Sequence, residues 1–170
     1  MSCAVVAVQL AARRQKHRAC LCSSAHEAFY LRMLGAPVKA GEGSAAALRR
    51  LKASKVIAQM KNKAASHLVE RLLLHAPPSL YDTLWGTLKP QFASLCLNPV
   101  ANFAMQSLIA AAPAARFVAD MVPEVADSFA DIVLNRRSGV ACVLLVAAAC
   151  WRTGCEQLCA LVRAALPDGV

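Results

Sequence analysis

The chain has 170 residues and a mass of 18.0 kDa, the length of one domain and enough to bury roughly two-thirds of the surface its unfolded form exposes. Hydrophobic residues at 58% against charged residues at 17% exclude a chain disordered throughout, and an apolar content carried by Ala and Leu, with aromatics at 5%, favours helices over a β sandwich or barrel. The formal charge is +9, from 19 Lys and Arg against 10 Asp and Glu. A mean hydropathy of +0.45 raises the question of a membrane span. The longest uncharged stretch, residues 90–115, carries Asn98, Pro99, Asn102, Gln106 and Pro113, which would be costly in lipid. The next, residues 138–151, is 14 residues long, short of the roughly 18 to 20 that cross a bilayer. No spanning segment is expected.

From the N-terminus, an apolar run (residues 3–12) precedes a basic one (Arg13, Arg14, Lys16, Arg18), the reverse of a secretory signal. With Glu27 as the first acidic residue, the run fits an organelle transit peptide, a nuclear import patch or a set of RNA-backbone contacts. Residues 35–44 read as a loop, and residues 45–63 as a basic amphipathic stretch with Leu48, Leu51, Val56 and Ile57 among six Lys and Arg. That stretch is either a solvated helix or one that contacts nucleic acid. Residues 1–63 hold 12 of the 19 basic and 2 of the 10 acidic residues, net +10; the remainder is net −1. The expected organisation is a basic N-terminal segment, 1–59, partly helical or disordered, followed by a repeat region, 60–170.

The eight cysteines (Cys3, Cys20, Cys22, Cys96, Cys142, Cys150, Cys155, Cys159) form no CxxC pair. Several lie in apolar helical stretches, and they read as reduced, buried small hydrophobes of an intracellular protein. His17, Cys20, Cys22 and His26 match no zinc module, so neither metal nor cofactor is expected.

The second part repeats. Residues 65–73 align without a gap on residues 101–109, an offset of 36, and the same offset carries Ala76-Pro77 onto Ala112-Pro113. A further step of 36 reaches residues 137–145, where apolar residues recur at Val140, Ala141, Leu144 and Leu145. Within a copy the apolar positions follow i, i+3, i+4, i+7 and i+8, as in Ala101, Ala104, Met105, Leu108 and Ile109, the buried stripe of a helix. Asn98 before Pro99 is a helix start, Asn as the cap and Pro at the first turn. Shorter helices are expected over residues 79–88, 90–97, 116–122, 124–134 and 155–166, divided by Pro and Gly. About three helices per copy, stacked in series, make an all-α solenoid.

Off the stripe, each copy places a triplet at i, i+1 and i+4: Ser66, His67 and Glu70; Asn102, Phe103 and Gln106; Ser138, Gly139 and Cys142. Residues at i and i+4 share a helix face, about 5–6 Å apart at Cβ, so two polar groups there are placed to grip one planar edge. Asn with Gln suits a uracil edge, and Glu with Ser accepts from a guanine's N1–H and N2–H₂. Phe103 and His67 offer faces for stacking, worth roughly 1 to 3 kcal/mol per base.

At these residues the sequence resembles the pumilio-type (PUF) RNA-binding repeats. Asn102-Phe103-Ala104-Met105-Gln106 is similar to the family's base-reading pattern, and Ser66-His67-Leu68-Val69-Glu70 to its guanine-reading variant. Residues 97–106, with 65–70 upstream, look like the nucleolar pumilio-like branch (nucleolar protein nine). The resemblance covers roughly residues 60–166 and implies base-reading helices near 65–74, 99–112 and 137–151. It further implies single-stranded RNA as partner, with pre-ribosomal RNA and pre-ribosomal proteins the expected setting, no DNA specificity and no membrane, and a nucleolar site in small-subunit ribosomal RNA maturation. With the family's antiparallel reading direction, the second and first triplets would select 5′-U-G-3′. In the third copy Gly139 cannot stack and Cys142 bonds weakly, so passage of the RNA backbone is expected there, with Arg137 beside it. Family arrays are longer, which implies a fragment or a shortened paralogue.

Each residue also has a structural reading. Asn102 in a first helical turn would satisfy backbone groups there, and Phe103 would pack on a neighbouring repeat. No Ser/His/Asp or Cys/His set, HExxH, P-loop or carboxylate pair is present, so catalysis is not expected. The alternative from another class is an armadillo- or HEAT-like protein scaffold, to which the repeat region's net −1 is better suited than to RNA.

Overall fold

Two asparagines 36 residues apart, Asn62 and Asn98, each start a helix. Asn62 Oδ1 accepts from the Ala64 and Ala65 amides at 2.9 and 3.1 Å, and Asn98 Oδ1 accepts from Val100 and Ala101 at 3.0 and 2.9 Å. Each satisfies two of the orphan amides of a helix start. The computed structural model describes residues 24–36 and 51–166, with side chains from residue 28 onward. Its α-helices are α1 (Ser24–Met33), α2 (Ala53–Lys61), α3 (Lys63–Leu74), α4 (Pro78–Leu88), α5 (Phe92–Leu97), α6 (Ala101–Ala110), α7 (Ala115–Val125), α8 (Phe129–Leu134), α9 (Ser138–Trp151) and α10 (Cys155–Ala165). Single 3₁₀ turns, Lys89–Gln91 and Ala126–Ser128, join α4 to α5 and α7 to α8.

The helices form two layers. In the front layer α2 packs on α3, α3 along α6, and α6 along α9. Behind it, α5 packs on α6 and α7, α7 on α9, and α8 on α9 and α10. One repeat is thus a front helix, a long back helix, a 3₁₀ turn and a short back helix. It occurs twice in full, from α3 and from α6, and α9 with α10 begins a third. This is the expected α-solenoid of three-helix repeats, each stacked on its neighbour. Among the described residues no helix is long and apolar enough to cross a membrane.

The repeat is also legible in the core. Leu84, Leu88 and Phe92 correspond to Met121, Val125 and Phe129, all buried. Phe92 meets Trp85 edge to face, with ring centroids 5.2 Å apart. Tyr81 crosses between layers: its hydroxyl donates to the Leu108 carbonyl of α6 at 2.7 Å, and its ring packs edge to face on Phe117.

Three expectations are corrected. Pro123 does not divide helices; it lies inside α7. Its ring is exposed while Val122 and Val125 on either side are buried, so the amide it removes is on the solvent side and packing holds the turn. The cysteines are not all buried. Cys96 is, but Cys142, Cys150 and Cys159 are exposed and Cys155 is half-buried, all of them as free thiols. Cys142 and Cys150 lie on α9, the last front helix among the described residues, on a side with no further helix to cover it. Finally, the division expected at residue 59 falls inside α2, whose Val56, Ile57 and Met60 belong to the same core as Leu31, Leu34 and Leu73.

Glycine suits the turn into α10. Gly154, between α9 and α10, has φ +68°, and a Cβ there would stand 2.9 Å from Val122 Cγ2.

Candidate nucleic-acid interface

The two complete triplets sit on the front layer, on adjacent parallel helices, one turn inside their Asn caps. Their members point differently. The i+1 residues face outward: Phe103 is 52% exposed and the His67 side chain 80%. The i residues do not. Ser66 and Asn102 are each 2% exposed and bonded to their own helix: Ser66 Oγ donates to the Lys63 carbonyl at 3.2 Å, and Asn102 Nδ2 donates to the Asn98 and Pro99 carbonyls at 2.9 and 3.0 Å. The backbone role weighed for Asn102 is thus present in the fold. The i+4 residues, Glu70 and Gln106, are half-buried between these extremes.

The cause is the stacking of front helices. Positions i, i+4 and i+7 form the flank that meets the next front helix. Ser66, Glu70 and Leu73 are buried or half-buried there, as are Asn102, Gln106 and Ile109. In α9, which has no following front helix among the described residues, Ser138 and Cys142 at the equivalent places are exposed. Helical spacing puts i and i+4 on one flank but cannot say what covers it.

Within the second triplet the amides are chained. Gln106 Nε2 donates to Asn102 Oδ1 at 3.1 Å, leaving the Gln106 Oε1 acceptor and the second Nε2 hydrogen as the pair's outward functions. In the first triplet, Glu70 Oε1 is enclosed without a hydrogen bond, and His67 Nδ1 lies 3.5 Å from it. An enclosed carboxylate oxygen lacking a donor is costly, and a donor edge arriving from outside would satisfy it.

Arg137, just before α9, is half-buried, and its Nε has no hydrogen-bond partner. Arg13, Arg14, Lys16 and Arg18 lie outside the described residues, as do His17, Cys20 and Cys22. Among the described residues no three His, Cys, Asp or Glu gather as metal ligands.

Sequence reasoning missed two features. Asn62 caps α3 as Asn98 caps α6; the signal was its position 36 residues before Asn98. The other is a division of charge between layers. From Lys52 to Arg163 the front helices and their ends carry Lys52, Lys55, Lys61, Lys63, Arg71, Arg136, Arg137 and Arg152 against Glu70 alone. The back helices carry Lys89, Arg116 and Arg163 against Asp82, Asp120, Glu124, Asp127, Asp131 and Glu156. Within residues 64–170 alone, whose net is −1, the front still carries Arg71, Arg136, Arg137 and Arg152 against Glu70, while the back keeps its three cations and six acids. Several back-layer charges pair across repeats, Arg116 with Asp82 at 2.9 Å and Lys89 with Glu124 at 3.5 Å.

A two-layer stack of three-helix repeats with a polar–aromatic–polar triplet on successive front helices defines an α-solenoid of the PUF class. The profile of the NOP9-like PUF repeat domain matches residues 7–169. The chain belongs to that family. It is 34% identical over 94 residues to Pumilio homolog 23 of Arabidopsis thaliana, a match spanning 55% of this chain and 12% of the relative. It is similar to the solved structure of APUM23 with GGAUUUGACGG (TM-score 0.65, 28% identity, 70% of this chain and 24% of that one). A second APUM23 structure, with the insert region deleted and GGAAUUGACGG present, matches at TM-score 0.64 and 30% identity over 66% of this chain and 22% of that one. The chain therefore spans about a quarter or less of the length of these relatives.

Proposed function

We propose that this chain binds single-stranded RNA without catalysis, through the front layer of its repeats. One observation carries the reading: on the basic layer, an exposed ring stands beside a half-buried edge-reading group twice in succession, Phe103 with Gln106 and His67 with Glu70. PUF repeats read one base per repeat with two or three side chains, and the rings supply stacking that any base accepts. Gln106 offers one acceptor and one donor, the complement of a uracil edge, and Glu70 offers acceptors to the N1–H and N2–H₂ of guanine. Ser66 and Asn102 serve differently from a direct edge contact: they anchor the helix start, and Asn102 orients Gln106. Read antiparallel, the two repeats select 5′-U-G-3′. In support, the oligonucleotides in the APUM23 structures all contain UUGACGG and hence that step.

Phosphate affinity comes from the front-layer cations and from Arg13, Arg14, Lys16 and Arg18, with Arg137 lining the path of the backbone. Membership of a NOP9-like family supports a setting in the nucleolus, in maturation of small-subunit ribosomal RNA. The protein-scaffold alternative drew on the near-neutral charge of the repeats, and the basic front layer removes that support.

The test is a salt-titrated binding measurement with U-G-containing and scrambled single strands. The expected result is preferential binding of the U-G strand that weakens as salt rises. Absence of RNA affinity at moderate salt overturns the reading in favour of a scaffold.

A further inference from the structure

The position filled by His67 in the first repeat and Phe103 in the second is Gly139 in the third. The absence of a side chain there has a use. A Cβ on Gly139 would lie 2.8 Å from Gln106 Nε2, 2.9 Å from Oε1 and 3.0 Å from Cδ. The Gln106 carboxamide therefore rests on the bare backbone of the neighbouring helix. Its Nε2 also donates to Asn102 Oδ1 at 3.1 Å, and Asn102 is itself fixed by two backbone carbonyls. The amide is held from two sides, by a hydrogen bond within its own repeat and by contact with the next.

Backbone conformation does not explain this glycine. Gly139 is the second residue of α9, and it is not among the glycines with positive φ, which are Gly35 and Gly154. Within a helix glycine is less favourable than alanine. What it provides is room.

We propose that Gly139 is a specificity-determining positioning residue for the second repeat. By leaving its Cβ site open it allows Gln106 to lie flat between Asn102 and α9, with its free oxygen and its second N–H set for a uracil edge. The third repeat then contributes to reading the base of the second and reads none itself through this triplet. This rests on the RNA-binding reading above and sharpens it. With alanine at 139 the methyl would occupy the space of the Gln106 amide. The flexible side chain would swing away and lose its bond to Asn102, while the helix itself would be favoured.

The experiment uses the full chain, wild type and Gly139→Ala, with Gln106→Ala and Gly86→Ala for comparison; at Gly86 an added Cβ meets nothing within 4 Å. Affinities are measured for strands carrying U, A, C or G at the base assigned to the second triplet. In parallel, the Gln106 side-chain amide resonances, assigned by their loss in Gln106→Ala, are followed without RNA. The expectation is that Gly139→Ala lowers discrimination for U by about five- to tenfold, the scale of a lost base-edge contact, and no further when combined with Gln106→Ala. The Gln106 resonances should shift in Gly139→Ala, its thermal midpoint should hold or rise, and Gly86→Ala should leave discrimination intact. Unmoved Gln106 resonances, or undiminished discrimination in Gly139→Ala, overturn this inference alone. A wild-type chain that binds no RNA overturns it together with the reading it rests on, while the resonance measurement still reports on the packing.

Discussion

Asn62 and Asn98 perform one task in two repeats, and the second of them supports the candidate site directly. Asn98 accepts two amides with its side chain and receives Asn102 Nδ2 on its carbonyl. Asn98→Ala removes the cap and should cost about 1 kcal/mol of stability, read in urea unfolding, and Asn62→Ala should cost a similar amount. Phe103 is the opposite case. A half-exposed ring contributes little to the fold, so Phe103→Ala should leave the urea midpoint nearly in place. It should still weaken RNA binding by roughly 1 to 3 kcal/mol, the value of one stacked base; unchanged affinity would show that no base stacks there. These residues also mark how far the site was legible. Asn98 announced itself through the following Pro99, whereas Asn62 is followed by Lys63 and is visible only through the repeat. The outward placement of His67 and Phe103 follows from their lying off the apolar stripe. The burial of Ser66 and Asn102 does not, because it depends on a neighbouring helix that no local pattern reports.

Among the elements, helix existence followed from apolar periodicity, and boundaries followed where an Asn or Pro stood at a start. What the pattern missed was how the elements join. The back helices repeat at 37 residues, as in Phe92 and Phe129, whereas the triplets repeat at 36. The connection into α9 absorbs the difference, with Arg136 in a left-handed conformation at φ 60° and no side-chain cap on the helix. Between layers, the Tyr81 hydroxyl bonded to the Leu108 carbonyl is a buried link across 27 residues of sequence. Tyr81→Phe leaves that carbonyl without its partner and should destabilise by roughly 1 to 3 kcal/mol at neutral pH. Burial raises the Tyr81 pKa well above its ordinary value. A group whose folded pKa is raised contributes its full stability below the unfolded pKa, about 10 for tyrosine, and loses it as pH climbs beyond. Buried Cys96, its thiol pKa also raised by desolvation, adds a loss that begins lower, above the ordinary thiol value of about 8.5. Urea midpoints of the wild type should therefore fall above pH 9. Tyr81→Phe should start lower at pH 7 but decline less steeply above pH 10, and parallel declines would mean that Tyr81 ionises freely.

For the molecule as a whole, the arrangement that matters is the sorting of charge by layer. A stack whose front helices and helix ends carry eight cations to one acid, and whose back helices carry three to six, presents a polyanion with one attractive face and one repulsive one. Over Lys52 to Arg163 the net charge is +4, from 11 cations and seven acids, and only the assignment of each helix to a layer shows that the excess lies in front. The sorting predicts a difference in salt response. Each front-layer cation that meets a phosphate contributes roughly 0.7 to the slope of log affinity against log salt for a single strand. Lys55→Gln and Lys63→Gln should each lower that slope by up to this amount and weaken U-G-containing and scrambled strands alike, since phosphate contacts carry no sequence information. Arg163→Gln, on the exposed side of α10 in the back layer, should leave both slope and affinity in place. Equal effects from front and back substitutions would mean that the strand is attracted by net charge alone. A loss confined to the front layer would place the phosphate path along α2 and α3, beside the residues proposed to read the bases.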